Sequence, residues 1–254
     1  MSADATAAPG RPQRIAVAGV RKGYAKGGEP LPVVDGVDFT VADGEFVAIV
    51  GPSGCGKSTL INLIAGFERA DEGSVRIDGA EQTGPGRQGI VITQHGSVFP
   101  WLTVRQNLMF GLHHEPRRTE LADHYAELVG LTGFESSYPH ELSGGMLKRV
   151  ELARALAVKP EILYMDEPFS ALDALTSLRM RDVLLQVLTV ERHTVLLITH
   201  DVEEAVFLAD RVLVLAPRPT RIQASFDIPV PHPRRITSAP LQALREAVLR
   251  ELGV

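Results

Sequence analysis

The densest chemistry in the chain lies in nine residues, Gly51-Pro-Ser-Gly-Cys-Gly-Lys-Ser-Thr59. They follow the apolar run Glu45-Phe-Val-Ala-Ile-Val50 and precede Leu60-Ile-Asn-Leu-Ile64, so a strand passes through a glycine-rich turn into a helix. Gly51, Gly54 and Gly56 open backbone conformations barred to other residues, which lets several N–H groups converge on one anion. The match to G-x-x-x-x-G-K-[ST] is complete. It predicts that Gly51, Pro52, Ser53, Gly54, Cys55, Gly56, Lys57, Ser58 and Thr59 wrap a nucleotide phosphate chain. Lys57 reaches the β- and γ-phosphates, the Ser58 hydroxyl ligates Mg²⁺, and the positive end of the helix dipole faces the same site.

Further polar residues stand where buried strands are expected to end. Asp166-Glu167 follows Ile162-Leu-Tyr-Met165, and His200 follows Thr194-Val-Leu-Leu-Ile-Thr199. Both runs are nearly continuous in apolar residues, as strands buried on both faces of a parallel sheet are, and ligands of open α/β sheets collect at such strand ends. Asp166 suits Mg²⁺ through its water shell, and Glu167 suits a water beside the γ-phosphate. Read alone, the acidic pair is equally an ordinary polar strand end or a helix cap, and His200 a solvated loop histidine.

The elements that must hold these groups follow from periodicity. Val37-Asp-Phe-Thr-Val41, Phe46 to Val50 and Ser74-Val-Arg-Ile77, broken by Asp43-Gly44, Glu72-Gly73 and Asp78-Gly79, predict an antiparallel sheet alongside the phosphate strand. A helical block is expected from about Thr103 to Val129, a further helix from about Gly144 to Val158, and a crossover helix from about Ala174 to Val190. Residues 1–14, rich in Ala, Pro and Gly without apolar period, are expected to form a disordered tail. Near the other end, Pro229 to Arg235 is expected as an extended linker. Leu241, Leu244, Val248 and Leu252 mark one stripe of a final helix.

Composition restricts the function classes. With 254 residues, 44 % hydrophobic and 22 % charged, the chain is an ordinary globular one, and a net charge of −5 argues against a nucleic-acid partner. The single cysteine, Cys55, excludes an internal disulfide and a cysteine-built zinc site, and points to a reducing compartment. No apolar run reaches the roughly 18 residues of a membrane-spanning helix. Work at a membrane would require other chains to cross it.

Taken in order, Tyr24, Gly51 to Thr59, Gln94, Leu142-Ser-Gly-Gly-Met146, Asp166-Glu167, Ser170-Ala-Leu-Asp173 and His200 resemble the motif set of the nucleotide-binding subunit of ATP-binding-cassette (ABC) transporters. In that family these are the adenine platform, Walker A, Q-loop, signature, Walker B, D-loop and H-loop. The resemblance spans about Ile15 to Leu215. It implies an α/β P-loop NTPase with a RecA-like core, an antiparallel β subdomain and an α-helical signature subdomain at about 95–158. The ATPase domain would cover 15–225, and a linker and helix 226–254.

The resemblance also implies ATP and Mg²⁺ as cofactors, the metal being held by Ser58, Gln94 and Asp166. Tyr24 stacks on adenine, and Lys57, Glu167 and His200 are catalytic. Ser143, Gly144 and Gly145, at a helix start, form a second anion site. Two copies pair head to tail, so that each γ-phosphate lies between Lys57 of one and Ser143 of the other, with Asp173 coupling the two sites. Gln94 reports nucleotide state to the loop behind it, where Phe99 and Trp101 line the socket for a short helix of a membrane subunit.

Phe99-Pro-Trp-Leu-Thr-Val104, Met146, Thr199 to Asp210 and Ala216-Pro-Arg-Pro-Thr-Arg-Ile222 look like the bacterial importer branch for nitrate, sulfonate, taurine or bicarbonate. Its ATPase subunits sit peripherally on the cytoplasmic face of the inner membrane. Their partners are two transmembrane permease subunits and an extracytoplasmic solute-binding protein. Met146 and Lys148 depart from the glutamines commoner in the family. The rival is a soluble ABC ATPase that moves no solute, but no heptads of an inserted coiled coil lie between Lys57 and Leu142. A cassette unable to hydrolyse ATP fits poorly with Glu167 and His200, and an exporter would differ chiefly in its membrane chains.

Overall fold

The computed structural model describes residues 11–94 and 96–254. Along the chain run β1 (Gln13–Lys26), β2 (Glu29–Ala42), β3 (Phe46–Val50), α1 (Lys57–Ala65), β4 (Glu72–Ile77), β5 (Ala80–Glu81) and β6 (Gly89–Ile92). Then come α2 (Val104–Met109), α3 (Arg118–Leu128), α4 (Gly144–Ala157), β7 (Ile162–Asp166) and α5 (Ala174–Val190). The chain closes with β8 (Thr194–Thr199), α6 (Val202–Leu208), β9 (Arg211–Leu215), β10 (Ile222–Asp227) and α7 (Ala239–Glu251). Two compact units result, one built from the chain up to Gly89 together with Thr194–Val254, the other from Ile90–His193.

In the first unit β2-β1-β4-β5 form an antiparallel sheet, and β10-β9-β3-β8 lie side by side in a second. The apolar runs of β3, β8 and β9 are buried along their whole length, because a strand flanked on both sides and covered on both faces leaves no position for water. β3 runs parallel to both neighbours, and Val50 is in register with Thr199 on one side and Val214 on the other. Three strands therefore end level with one another beneath the glycine-rich turn. A buried ion pair joins β9 to the turn before β3: Arg211 Nε donates to Glu45 Oε1 at 2.9 Å, and Glu45 Oε2 accepts from the Ala42 N–H at 2.7 Å.

β1 begins at Gln13, in register with Ala42, so the segment read as tail overlaps the first strand by two residues. Arg14 holds this end, donating to Asp43 at 2.6 Å and Asp78 at 2.8 Å. Those long-range ion pairs are invisible to local composition, which is why Ala, Pro and Gly counts extended the tail too far. The first ten residues of that predicted tail lie outside the described residues.

At the other end α7 packs on α6, with Leu241 and Val248 fully buried and Leu244 and Leu252 half-buried. The segment 229–235 has no regular structure, yet Arg234 within it is buried. Its guanidinium donates to the carbonyls of Val206, Phe207 and Ala209 at 3.1, 3.1 and 2.7 Å, closing the C-terminal end of α6.

In the second unit β6 and β7 are neighbours and α2, α3 and α4 pack together. The single helical block expected over 103–129 is two helices. Pro116 lacks a donor N–H and restricts the residue before it, so the chain turns there. Gly111 sits so close to α4's end that a Cβ would lie 2.2 Å from Val158 Cγ1. Thr103 caps α2 reciprocally with Gln106, the Thr103 hydroxyl accepting from Gln106 N–H at 3.3 Å and Gln106 Oε1 from Thr103 N–H at 2.9 Å. Among the described residues no helix is long and apolar enough to cross a membrane.

Candidate active site

The phosphate loop occupies the turn between β3 and α1. Gly56 caps α1 with φ 122°, and no side chain bonds the helix's first amides nor does an acidic residue sit in the first turn, so these donors and the positive dipole end are available to an anion. Gly54 has φ 72°, and a Cβ on Gly51 would lie 3.0 Å from Leu215 Cβ. Side chains at these positions would strain or displace the loop. Lys57 is buried, its Nζ donating to the carbonyls of Gly51 at 2.9 Å and Pro52 at 3.0 Å. A cation folded back on its own loop is drawn to the same concavity that the N–H groups serve. The Ser58 hydroxyl is exposed at the helix start.

His200 directly follows Thr199, which is in register with Val50, so the histidine and the phosphate loop leave the ends of adjacent parallel strands. The next residue, Asp201, caps α6, accepting from Glu203 N–H at 2.9 Å and Glu204 N–H at 3.2 Å. This pins the backbone on both sides of the imidazole, which is itself exposed.

Tyr24 is also in the first unit, on β1, with its ring 40 % exposed. Its hydroxyl donates to Glu68 Oε2 at 2.5 Å and Lys22 Nζ lies 5.7 Å from the ring centroid. Burial, and then the adjacent Glu68 carboxylate, push the phenol above its ordinary pKa, so it stays neutral. An aromatic face fixed at one edge and open to solvent is a platform for a flat ring.

The second unit carries the acidic groups. β7 ends in Asp166, which is buried, and Glu167 follows with φ 48°, a left-handed backbone that costs a side-chain-bearing residue on the order of 1–3 kcal/mol. Ser170 holds that turn, its hydroxyl donating to the Glu167 carbonyl at 2.9 Å. Gln94, two residues beyond β6, donates from Nε2 to Glu167 Oε2 at 3.4 Å. Asp166 and Gln94 offer carboxylate and amide oxygens, donors suited to a hard cation such as Mg²⁺.

Ser143 caps α4, its Oγ accepting from Met146 N–H at 3.3 Å, which leaves the hydroxyl proton free to be donated outward. Gly144 is exposed with open space at its Cβ direction, and a Cβ on Gly145 would lie 3.5 Å from Leu172 Cδ2. The signature turn thus touches the segment that ends in Asp173. Asp173 caps α5, and its bonds from the Thr176 hydroxyl and N–H hold the carboxyl below the usual range.

Sequence reasoning missed what braces these groups. Lys148, noted only as a departure from glutamine, is buried in an ion pair with Glu151 at 2.8 Å and also donates to the Thr93 carbonyl. Glu151 accepts from the Ser97 hydroxyl at 2.8 Å. One pair therefore grips the chain on either side of Gln94. The i, i+3 spacing of Lys148 and Glu151 was the only available signal. Nearby, Asn107, fully buried, accepts from Phe99 N–H at 2.8 Å and donates to the carbonyls of Phe99, Leu102 and Thr103 at 3.0–3.1 Å. The loop so held presents Trp101, 69 % exposed, beside Phe99, and Phe110 also packs on Phe99, its ring tilted by 47° at 4.3 Å between centroids.

Comparison with known proteins adds three findings. Residues 34–170 match the ABC transporter family. The aliphatic sulfonates import ATP-binding protein of Bacillus licheniformis is 44 % identical over 232 residues, 91 % of each chain, and the nitrate import ATP-binding protein of a Synechocystis strain is 48 % identical over 199 residues, 77 % of this chain and 75 % of that one. A dimeric ATP-binding cassette solved in a post-hydrolysis state with ADP and Pi superposes with a TM-score of 0.77 at 28 % identity, covering 85 % of this chain and 99 % of that one.

Proposed function

The chain belongs to the ABC transporter family as a P-loop ATPase that uses ATP and Mg²⁺, and on that premise we propose that it is the energy-coupling subunit of a bacterial importer for a small anionic or organic solute of the sulfonate or nitrate type. The observation that carries the reading is the phosphate loop itself, with its uncapped helix N-terminus, buried Lys57 and level-ending His200. The names of the similar import proteins support the solute class.

In this reading the loop N–H groups and Lys57 bind the β- and γ-phosphates, and Tyr24 stacks on adenine. Ser58, Asp166 and Gln94 would hold Mg²⁺, which would supply neutralisation of phosphate charge. Glu167 orients and deprotonates the attacking water, and His200 holds the γ-phosphate side of that water. Ser143, Gly144 and Gly145 of a second copy donate to the same γ-phosphate, so two copies close on two ATP. The Trp101 loop receives a short helix of each of two permease subunits, and the full system includes an extracytoplasmic solute-binding protein. The subunit would then lie peripherally on the cytoplasmic face of the membrane.

Co-expression with the permease pair tests this. Co-purification from detergent, with ATP hydrolysis stimulated by the solute-loaded binding protein, is expected. An active ATPase that never associates with a permease would favour the soluble, non-transport alternative.

A further inference from the structure

The stretch Ala216-Pro-Arg-Pro-Thr-Arg-Ile222 links β9 to β10, and the mechanism gives it no part. Its side chains nevertheless end on the phosphate loop. Arg218 donates from Nε and Nη2 to the Gly54 carbonyl, at 3.2 and 2.5 Å. Thr220, fully buried, donates its hydroxyl proton to the Cys55 carbonyl. Gly56 packs against the same residue, since a Cβ there would lie 3.2 Å from Thr220 Oγ1 and 2.8 Å from Val33 Cγ1.

These two contacts fall on consecutive peptide units. A trans peptide is planar with its N–H opposed to its C=O, so fixing a carbonyl from behind aims the next residue's N–H the other way. Arg218 thus fixes the unit that carries the Cys55 N–H, which closes the turn of the loop by donating to the Pro52 carbonyl at 3.3 Å, and Thr220 fixes the unit that carries the Gly56 N–H. Hydrogen bonding to a carbonyl also polarises its peptide and strengthens the N–H as a donor.

Thr220 has a second attachment. Its N–H donates to the Val33 carbonyl at 2.7 Å, and its carbonyl accepts from Asp35 N–H at 3.0 Å, so it extends along β2. Arg221, next in sequence, pairs with Asp35. β2 is the partner of β1, and Leu31 stands in register with Tyr24. One buried threonine therefore ties the phosphate loop to the strand pair that carries the aromatic platform.

We propose that Arg218 and Thr220 are positioning residues for the nucleotide: Arg218 presets the phosphate loop, and Thr220 sets the span between that loop and Tyr24. The inference rests on the reading of Gly51 to Thr59 and Tyr24 as one ATP site. It separates the two residues by ligand. Inorganic triphosphate engages the loop alone, whereas ATP must span both ends.

The test is binding of Mg-ATP and of magnesium triphosphate to the full chain, with steady-state hydrolysis and melting of the nucleotide-free protein in parallel. Arg218→Ala is expected to weaken both ligands equally, by about fivefold to tenfold, the solvent-exposed share of a charge-assisted hydrogen bond. KM for ATP rises accordingly, kcat stays within about twofold, the melting temperature is unchanged, and Arg218→Lys recovers part of the loss. Thr220→Val is expected to weaken ATP more than triphosphate, with Thr220→Ser restoring both.

Unchanged affinities in Arg218→Ala, a loss that merely follows a lowered melting temperature, or equal losses for both ligands in Thr220→Val with no recovery in Thr220→Ser would overturn the inference while leaving the ATPase assignment standing. A wild type that binds neither ligand would overturn the site reading beneath it.

Discussion

Gln94 Nε2 reaches Glu167 Oε2 at 3.4 Å, joining the ends of neighbouring strands β6 and β7 through one side-chain contact. The amide that is proposed to touch Mg²⁺ therefore also touches the carboxylate proposed to hold the attacking water. Glu167 keeps this place at the cost of a left-handed backbone. Glu167→Gln retains the shape and the contact but removes the base. Phosphate release should fall by a factor on the order of 10²–10⁴ with ATP affinity preserved. A variant releasing phosphate at the wild-type rate would remove Glu167 from the mechanism.

Tyr24 separates ring from hydroxyl. Tyr24→Phe loses the bond to Glu68 but keeps the face, and Tyr24→Ala loses both. ATP affinity should fall by about 1–3 kcal/mol in Tyr24→Ala, the range of aromatic–base stacking, and by far less in Tyr24→Phe. Affinity for inorganic triphosphate should be unaffected by either. Equal losses for both ligands would show that the ring acts on folding and not on adenine.

Trp101 is exposed on a loop that the Asn107 amide holds, its oxygen accepting from the Phe99 N–H and its two N–H groups shared among the carbonyls of Phe99, Leu102 and Thr103. Trp101→Ala should leave the basal ATPase of the isolated chain intact and weaken assembly with the permease pair. Pull-down and solute-stimulated hydrolysis measure this. Unaltered assembly and unaltered stimulation would rule out the socket.

Lys148 and Glu151 are a buried pair, each at most 6 % exposed. Lys148→Met strands the Glu151 carboxylate in the core and should lower unfolding free energy by about 3–5 kcal/mol, while Lys148→Met combined with Glu151→Leu should recover most of that loss. Chemical denaturation gives both values. A single variant as stable as wild type would mean that the Ser97 hydroxyl and the charge of Arg154 suffice to hold the carboxylate without Lys148.

What the sequence made legible is local. The phosphate loop is nine contiguous residues between two periodic segments, and the fully buried runs of β7 and β8 announce their own burial by having no polar face. α5 follows from its period over Ala174–Val190. The contacts that stiffen the site are not local. Arg218 and Gly54 stand 164 positions apart, and Lys148 and Thr93 stand 55 apart. No period or spacing encodes such pairs, because only the tertiary fold brings donor to acceptor. Arg234 illustrates the same limit, since a proline-rich segment read as an extended linker conceals a guanidinium that closes α6.

The account depends on ATP being shared between two copies of the chain, with Lys57 of one and Ser143 of the other on each γ-phosphate. The most direct measurement is the solution mass of Glu167→Gln by light scattering with Mg-ATP, with and without Ser143→Arg. The mass of two chains with ATP, reverting to one chain without nucleotide and in Ser143→Arg, is the predicted result. A single-chain mass at saturating ATP, in a variant shown to bind ATP and not to turn it over, would contradict it.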